Sequence, residues 1–232
     1  GEPPQSSIIL IDVKTGDILG VAGAAGKKNG NHLQSFATKT LRSPGSTIKP
    51  GVTVAGMLSG EISRASELYC GGVYTRYAGY QPKCSTYGSS HRGSIRAQTA
   101  IAVSCNCFFY ELGYRMGIDT MNPYLTALGF GERTGLEIGG TEGILAGPLY
   151  RQESNGEEWQ PGNTLQAAIG QSDHMASPMQ LACYLSTISN GGTRYDAHLL
   201  HSVYAVGQSE PIYTYTVKPD SARAHLELSD EI

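Results

Sequence analysis

Ser43-Pro44-Gly45-Ser46-Thr47-Ile48-Lys49-Pro50 joins turn chemistry to the start of a helix and sets a hydroxyl and an amine three residues apart. Side chains at i and i+3 share one helix face, and Ser46 stands at the electropositive end. A free serine hydroxyl is a poor nucleophile and needs a base beside it. Lysine serves when burial or neighbouring positive charge takes its pKa well below about 10.4. Ser46 is thus a candidate nucleophile and Lys49 its candidate base. Taken alone, so short a spacing is more often a capping serine and a solvated lysine, and the context has to decide.

Outward from this helix start, the chain alternates strand-like and helical patterns. Ser7-Ile8-Ile9-Leu10-Ile11-Asp12-Val13 and Ile18-Leu19-Gly20-Val21-Ala22 flank the turn residues Lys14-Thr15-Gly16-Asp17 and predict a hairpin. A polar connection at residues 27–31 follows, and the first helix is expected near Ser46. Residues 70–91 carry many Gly, Tyr and Ser without periodicity and read as a long surface excursion. Residues 94–103 and 106–116 have helical apolar spacing, so Ser104-Cys105 falls in the short loop between two helices. A further helix over residues 119–128 stops at Gly129, before a glycine-rich stretch to Gly147. Ser177-Pro178-Met179-Gln180 is a capping box with Pro at the first helical position, opening a helix that runs to Asn190-Gly191-Gly192. Residues 199–206 and 211–217 alternate as strands do. Strands at both ends with helices between give an α+β class, expected as one domain.

Ser-x-x-Lys followed by Ser-x-Asn is the start of a three-part signature of serine acyl-transfer enzymes, and Ser104-Cys105-Asn106 supplies the second part. The similarity goes beyond these short motifs. The octapeptide at 43–50 resembles the first motif of penicillin-binding proteins, and Val103-Ser104-Cys105-Asn106-Cys107-Phe108-Phe109-Tyr110 resembles their second. Ile169-Gly170-Gln171, with Ser177-Pro178-Met179-Gln180-Leu181-Ala182 after it, is similar to a further block of that family, with Ser172 where a glycine is usual. Asn190-Gly191-Gly192 also fits, and the second block looks more like class B than class A members.

The resemblance implies a β-lactamase/transpeptidase-like fold: an antiparallel sheet flanked by helices, with an all-helical subdomain. It implies a peptidoglycan stem peptide ending in D-Ala-D-Ala as substrate and acylation by β-lactam antibiotics. Ser46 would attack the penultimate carbonyl and Lys49 would take its proton. Ser104 would relay a proton to the leaving amine, Asn106 would bind the peptide-like part of the substrate, and Gln171 would lie near the cleft. The family's third motif, Lys-Thr-Gly, does not follow Asn106. Lys14-Thr15-Gly16 matches it in letters only, since it precedes Ser46 and sits in the hairpin turn. The expectation is a domain cut before its C-terminal strands and weakly active or inactive as it stands. The rivals are a serine β-lactamase, a D,D-carboxypeptidase or β-lactam sensor, and a non-catalytic scaffold. No Glu-x-x-x-Asn element follows Ser104, which argues against a class A hydrolase.

Composition limits the remaining functions. Across 232 residues the formal charge is −3, so no basic surplus points to nucleic acid. Apolar runs such as residues 8–11 are far shorter than the roughly 18 residues a membrane span requires. The resemblance implies a membrane anchor in a longer protein, a place on the extracytoplasmic face of the bacterial membrane, and cell-wall synthesis partners. The five cysteines, at 70, 84, 105, 107 and 183, lack the paired spacing of a zinc site, so no metal and no cofactor is expected. Cys70 and Cys84 are left open between a disulfide and two reduced thiols, while Cys105 and Cys107 are read as ordinary packing. His91 and His174 are read as surface residues, and the tyrosines of residues 69–87 as groove lining or loop packing alike.

Overall fold

The computed structural model describes residues 6–24, 33–85, 91–217 and 224–228. The polar connection at residues 27–31 and part of the excursion, residues 86–90, lie outside them. The chain divides into two compact units. One draws on Gly1–Arg42, Ala127–Gly143 and Ala176–Leu228, and the other on Ser43–Thr126 and Ile144–Met175.

The first unit opens with the expected hairpin, β1 (Ser6–Ile11) against β2 (Ile18–Ala24), antiparallel. The period-2 alternation of β1 turns Ile9 and Ile11 inward, with Ile18 of β2, onto Leu136, Met179, Cys183 and Ala197. A seven-residue helix, α1 (Leu33–Lys39), precedes the Ser43 turn and was not expected. The capping box at Ser177 is realised: its hydroxyl accepts from the Gln180 N–H, and the Gln180 side-chain Oε1 accepts from the Ser177 N–H. The Gln180 amide also donates to the carbonyls of Glu132 and Glu142. The helix it opens, Pro178–Ser189, stops at Asn190, whose amide donates to the carbonyls of Val13 and Thr193 and accepts from the N–H groups of Gly192 and Thr193. Short antiparallel pairs complete the unit: Thr193–Arg194 with Ala224–His225, and Ser202–Tyr204 with Pro211–Thr214.

The second unit is mainly helical. A single 3-10 turn, Gly45–Ile48, leads into α2 (Lys49–Leu58), so the first helical turn is tighter than an α-helix. β3 (Glu67–Cys70) pairs antiparallel with β4 (Gly93–Arg96), and α3 (Ala97–Ala102) follows directly. The helix expected over residues 94–103 therefore begins only at Ala97, because its first residues extend to pair with β3. The excursion between these strands is anchored inward by Tyr74 and Cys84, both buried. α4 (Asn106–Ala127) contains both helices expected after the Ser104 loop, broken at Gly117 with φ 70°. Its buried Phe108, Phe109, Leu112 and Met116 share the core with Ile48, Val52, Ala55 and Leu165. Two further helices were not expected, α5 (Pro148–Asn155) and α6 (Pro161–Ala167), each with Pro at its start. All named strand pairs are antiparallel, and the α+β class stands.

Candidate active site

Every residue singled out for chemistry falls in the second unit. The 3-10 turn raises Ser46 at the head of α2, and Lys49, one turn on, is buried with 1% of its surface exposed. Its ammonium donates to Asn106 Oδ1 at 2.7 Å, to Ser104 Oγ at 3.0 Å and to the Ser104 carbonyl at 2.9 Å. The Ser104 hydroxyl in turn donates to Ser46 Oγ at 2.9 Å. Ser46, Ser104 and Lys49 thus form one hydrogen-bonded line, with Asn106 holding its far end. Burial takes the Lys49 pKa from 10.5 down to about 8. A lysine near 8 is within reach of giving up its proton at neutral pH, as a general base must.

Ser104 reaches this position with φ 52°, in the left-handed region that a serine seldom adopts. Three partners fix the turn: Cys105 N–H bonds back to the Ala100 carbonyl, and the Ser104 carbonyl takes Ser85 Oγ at 2.6 Å as well as Lys49. Ser85 lies in the excursion, and nothing in its polar surroundings marked it in advance.

Gln171 stands beside the Ser46 turn. A methyl group on Gly45 would lie 3.6 Å from its amide nitrogen. The backbones of Gly45 and Gly170 touch: Gly45 N–H donates to the Gly170 carbonyl at 2.9 Å, and Ser43 Oγ donates to the same oxygen at 2.6 Å. Gly170 has φ 73°, and a Cβ there would meet the Gly45 carbonyl oxygen at 2.1 Å. Arg151 braces the following loop by a fork to Asp173, a side chain sequence reading passed over.

Two surface assignments need correction. His174 is 1% exposed, and its Nδ1 accepts from the Ala146 N–H at 3.0 Å. Burial holds its pKa down at about 4, so it is a neutral structural residue. His91 is half-buried with Nε2 3.6 Å from Cys84 Sγ. No disulfide joins the five cysteines, which are all buried. The spacing argument against a metal ligand set does not survive folding, because Cys70, Cys84, His91 and Cys105 come together in space. Burial pushes the Cys105 and Cys107 thiols well above the usual cysteine range. Lys14-Thr15-Gly16 lies between β1 and β2, where Asp12 accepts from Lys14 N–H, as a turn should have it.

Among the described residues no helix is long and apolar enough to cross a membrane. Residues 6–225 match the family described as the penicillin binding protein transpeptidase domain. The chain is similar to the peptidoglycan D,D-transpeptidase MrdA of Acinetobacter baumannii, 28% identical over 220 residues that cover 86% of this chain and 33% of that protein. With MrdA of Escherichia coli K12 it is 28% identical over 180 residues, 77% of this chain and 28% of that one. The chain therefore spans about a third of the length of these relatives. The structure of Pseudomonas aeruginosa PBP2 in complex with WCK 5153 aligns with TM-score 0.78 at 24% identity, over 97% of this chain and 53% of that one. PBP2 of Helicobacter pylori in complex with MreC aligns with TM-score 0.72 at 22% identity, over 88% and 40%. At such identities the likeness is one of fold. With the profile match covering nearly the whole chain, the chain belongs to the penicillin-binding protein transpeptidase domain family.

Proposed function

We propose that this chain is the acylating part of a peptidoglycan D,D-transpeptidase in which Ser46 is the nucleophile. The observation that carries the reading is the unbroken line from Ser46 Oγ through Ser104 Oγ to the buried Lys49 amine. Neutral Lys49 accepts the Ser46 proton by way of Ser104 as Ser46 Oγ bonds to the penultimate D-Ala carbonyl of a stem peptide. The tetrahedral adduct collapses, the carbon–nitrogen bond to the terminal D-Ala breaks, and the proton returns through Ser104 to the departing amine. An acceptor amine then attacks the acyl-enzyme by the reverse route and forms the cross-link. Asn106 keeps the lysine aimed and faces the peptide-like part of the substrate; Gln171 lies at the mouth of the Ser46 turn.

A β-lactam would follow the first half of this path and stay attached. The oxyanion takes one donor from the Ser46 N–H, and the family's second donor belongs to the Lys-Thr-Gly strand, a motif that does not follow Asn106 in these residues. One missing donor costs on the order of 10² to 10³ in rate, so acylation of the chain alone should be slow. The proposed setting is the outer face of a bacterial membrane, in a longer anchored protein with cell-wall synthesis partners. The complex of Helicobacter pylori PBP2 with MreC, a structural neighbour, supports the proposal of partners.

Intact mass after incubation with benzylpenicillin tests the nucleophile. A single adduct that vanishes in Ser46→Ala is the expected result. An adduct that persists in Ser46→Ala, or none even on a chain extended through a Lys-Thr-Gly strand, would rule the reading out.

A further inference from the structure

Within the unit that carries Ser46, a groove of about 390 Å³ lies between the excursion and α6, a size that suits one small ligand. Tyr77 and Tyr80 line it from the excursion, and Pro161, Gly162, Asn163 and Gln166 line it from α6. No charged side chain is among the described residues around it.

Its rings and amides are held in place. Gly162 lets Tyr80 lie against α6, since a Cβ there would meet the Tyr80 ring at 3.1 Å. The Gln166 amide donates to the Tyr80 hydroxyl and fixes a ring that keeps 38% of its surface exposed. Tyr77 is held edge-on to Tyr114, with ring centroids 5.7 Å apart. Asn163 Oδ1 accepts from the Gln160 N–H at 2.7 Å, which leaves Asn163 Nδ2 as a donor without an acceptor among the described residues.

Fixed aromatic faces, fixed amides and no charge select a neutral ligand with an apolar C–H face and polar edges. A pyranose ring bearing an N-acetyl group has both. Its axial C–H bonds meet the electron-rich face of a tyrosine, and its acetamide carbonyl accepts from a donor such as Asn163 Nδ2. A free peptide is a poorer match, because its carboxylates and amines need partners that these residues do not supply.

We propose that this groove holds the N-acetylated amino sugar to which the stem peptide is amide-linked, so that the glycan places the peptide for attack by Ser46. The sugar site stands on the chemistry of the groove; its part in the reaction rests on the reading of Ser46 as nucleophile.

The reach fits. The Gln166 carbonyl accepts from the Gln171 N–H at 2.9 Å, and Gln171 stands beside the Ser46 turn. From Gln166 back to Pro161, α6 spans only about 7.5 Å. About four residues of extended stem peptide reach roughly 13 Å, enough to join a sugar on Tyr80 to a carbonyl at Ser46.

The test measures binding on the whole chain carrying Ser46→Ala, which cannot be acylated at that position. Two probes are titrated by calorimetry: the stem pentapeptide alone, and the same pentapeptide on its N-acetylglucosaminyl-N-acetylmuramic acid disaccharide. The disaccharide-bearing probe should bind about tenfold tighter or more, because sugar and peptide are then held at once. Tyr80→Ala and Asn163→Asp should each bring the two probes to within about twofold while leaving the affinity for the pentapeptide as it was. Asn163→Asp keeps the oxygen that caps Gln160 and loses only the donor, so it decides the matter if Tyr80→Ala fails to fold by circular dichroism. Equal affinities for the two probes, no binding of the disaccharide-bearing probe, or a preference that survives Asn163→Asp overturns the sugar site.

On the chain with Ser46 intact, the disaccharide-bearing probe should slow formation of the benzylpenicillin adduct at about a tenth of the pentapeptide concentration required. Preferential binding without that protection overturns the part in the reaction. If no adduct forms with benzylpenicillin alone, the nucleophile assignment has failed and that part with it, while the titrations still decide the sugar site.

Discussion

Lys49 donates to both oxygens of Ser104, to the hydroxyl at 3.0 Å and to the carbonyl at 2.9 Å. A single ammonium therefore fixes the rotamer and the backbone of the residue that links it to Ser46. In the proposed mechanism, protonation of that one amine decides whether the line is a structural clamp or a proton acceptor.

The first prediction concerns pH. With its pKa held near 8 by burial, Lys49 is mostly protonated at neutrality, so the rate of Ser46 acylation should rise about tenfold per unit below pH 8 and level off above it. Stability should follow the same group. Between about 8 and 10.5 the unfolded chain binds a proton that native Lys49 has released, so the folded state gains stability as pH rises through that window. Stopped-time acylation and denaturant melts across pH 6 to about 10 would check both limbs.

Asn106→Asp would place a carboxylate where a neutral oxygen now lies 2.7 Å from Lys49 Nζ. An opposite charge that close raises the lysine pKa by about one unit or more. The expected outcome is slower acylation at pH 7 with the rising limb moved alkaline, a displacement that simple loss of folding would not produce.

Gly45 and Gly170 both have positive φ, at 52° and 73°, yet they should respond differently to alanine. At Gly45 the nearest atom to a new methyl is Gln171 Nε2 at 3.6 Å, so only the left-handed backbone is penalised, about 1 to 2 kcal/mol. At Gly170 the methyl would meet the Gly45 carbonyl oxygen at 2.1 Å and split the contact on which the Ser46 turn rests. Gly170→Ala should cost about 3 kcal/mol or more by urea unfolding and depress acylation with it.

How much of this was legible in the chain depended on whether partners were neighbours. The Ser177 box, the β1–β2 hairpin and the Ser46–Lys49 spacing are local, and each was realised. α5 and α6 had readable starts at Pro148 and Pro161, but their glycine and charged surroundings masked them, and Pro161-Gly162 reads as a turn. β3 and β4 are four residues each and pair across the whole excursion, so neither carries enough pattern to announce the other. Cys70, Cys84 and Cys105 looked scattered because they are brought together from a strand end, a loop and an interhelical turn. His174 looked exposed because its cover comes from residues such as Ala146, far away in sequence.

Ser104 also allows a comparison of two truncations. Ser104→Ala and Ser104→Gly remove the same hydroxyl and should both slow acylation by about 10² to 10⁴. Only glycine relieves the φ of 52°, so Ser104→Gly should melt at higher denaturant than Ser104→Ala, by about 1 to 2 kcal/mol.

That difference sets two selective pressures against each other at one codon. Among variants that have lost the hydroxyl, a population screened for thermal robustness alone would drift toward glycine at this position, at no gain to the proposed relay. A serine in a backbone that disfavours it is what the proposed relay requires, so any stabilised version of this chain should gather its improvements elsewhere.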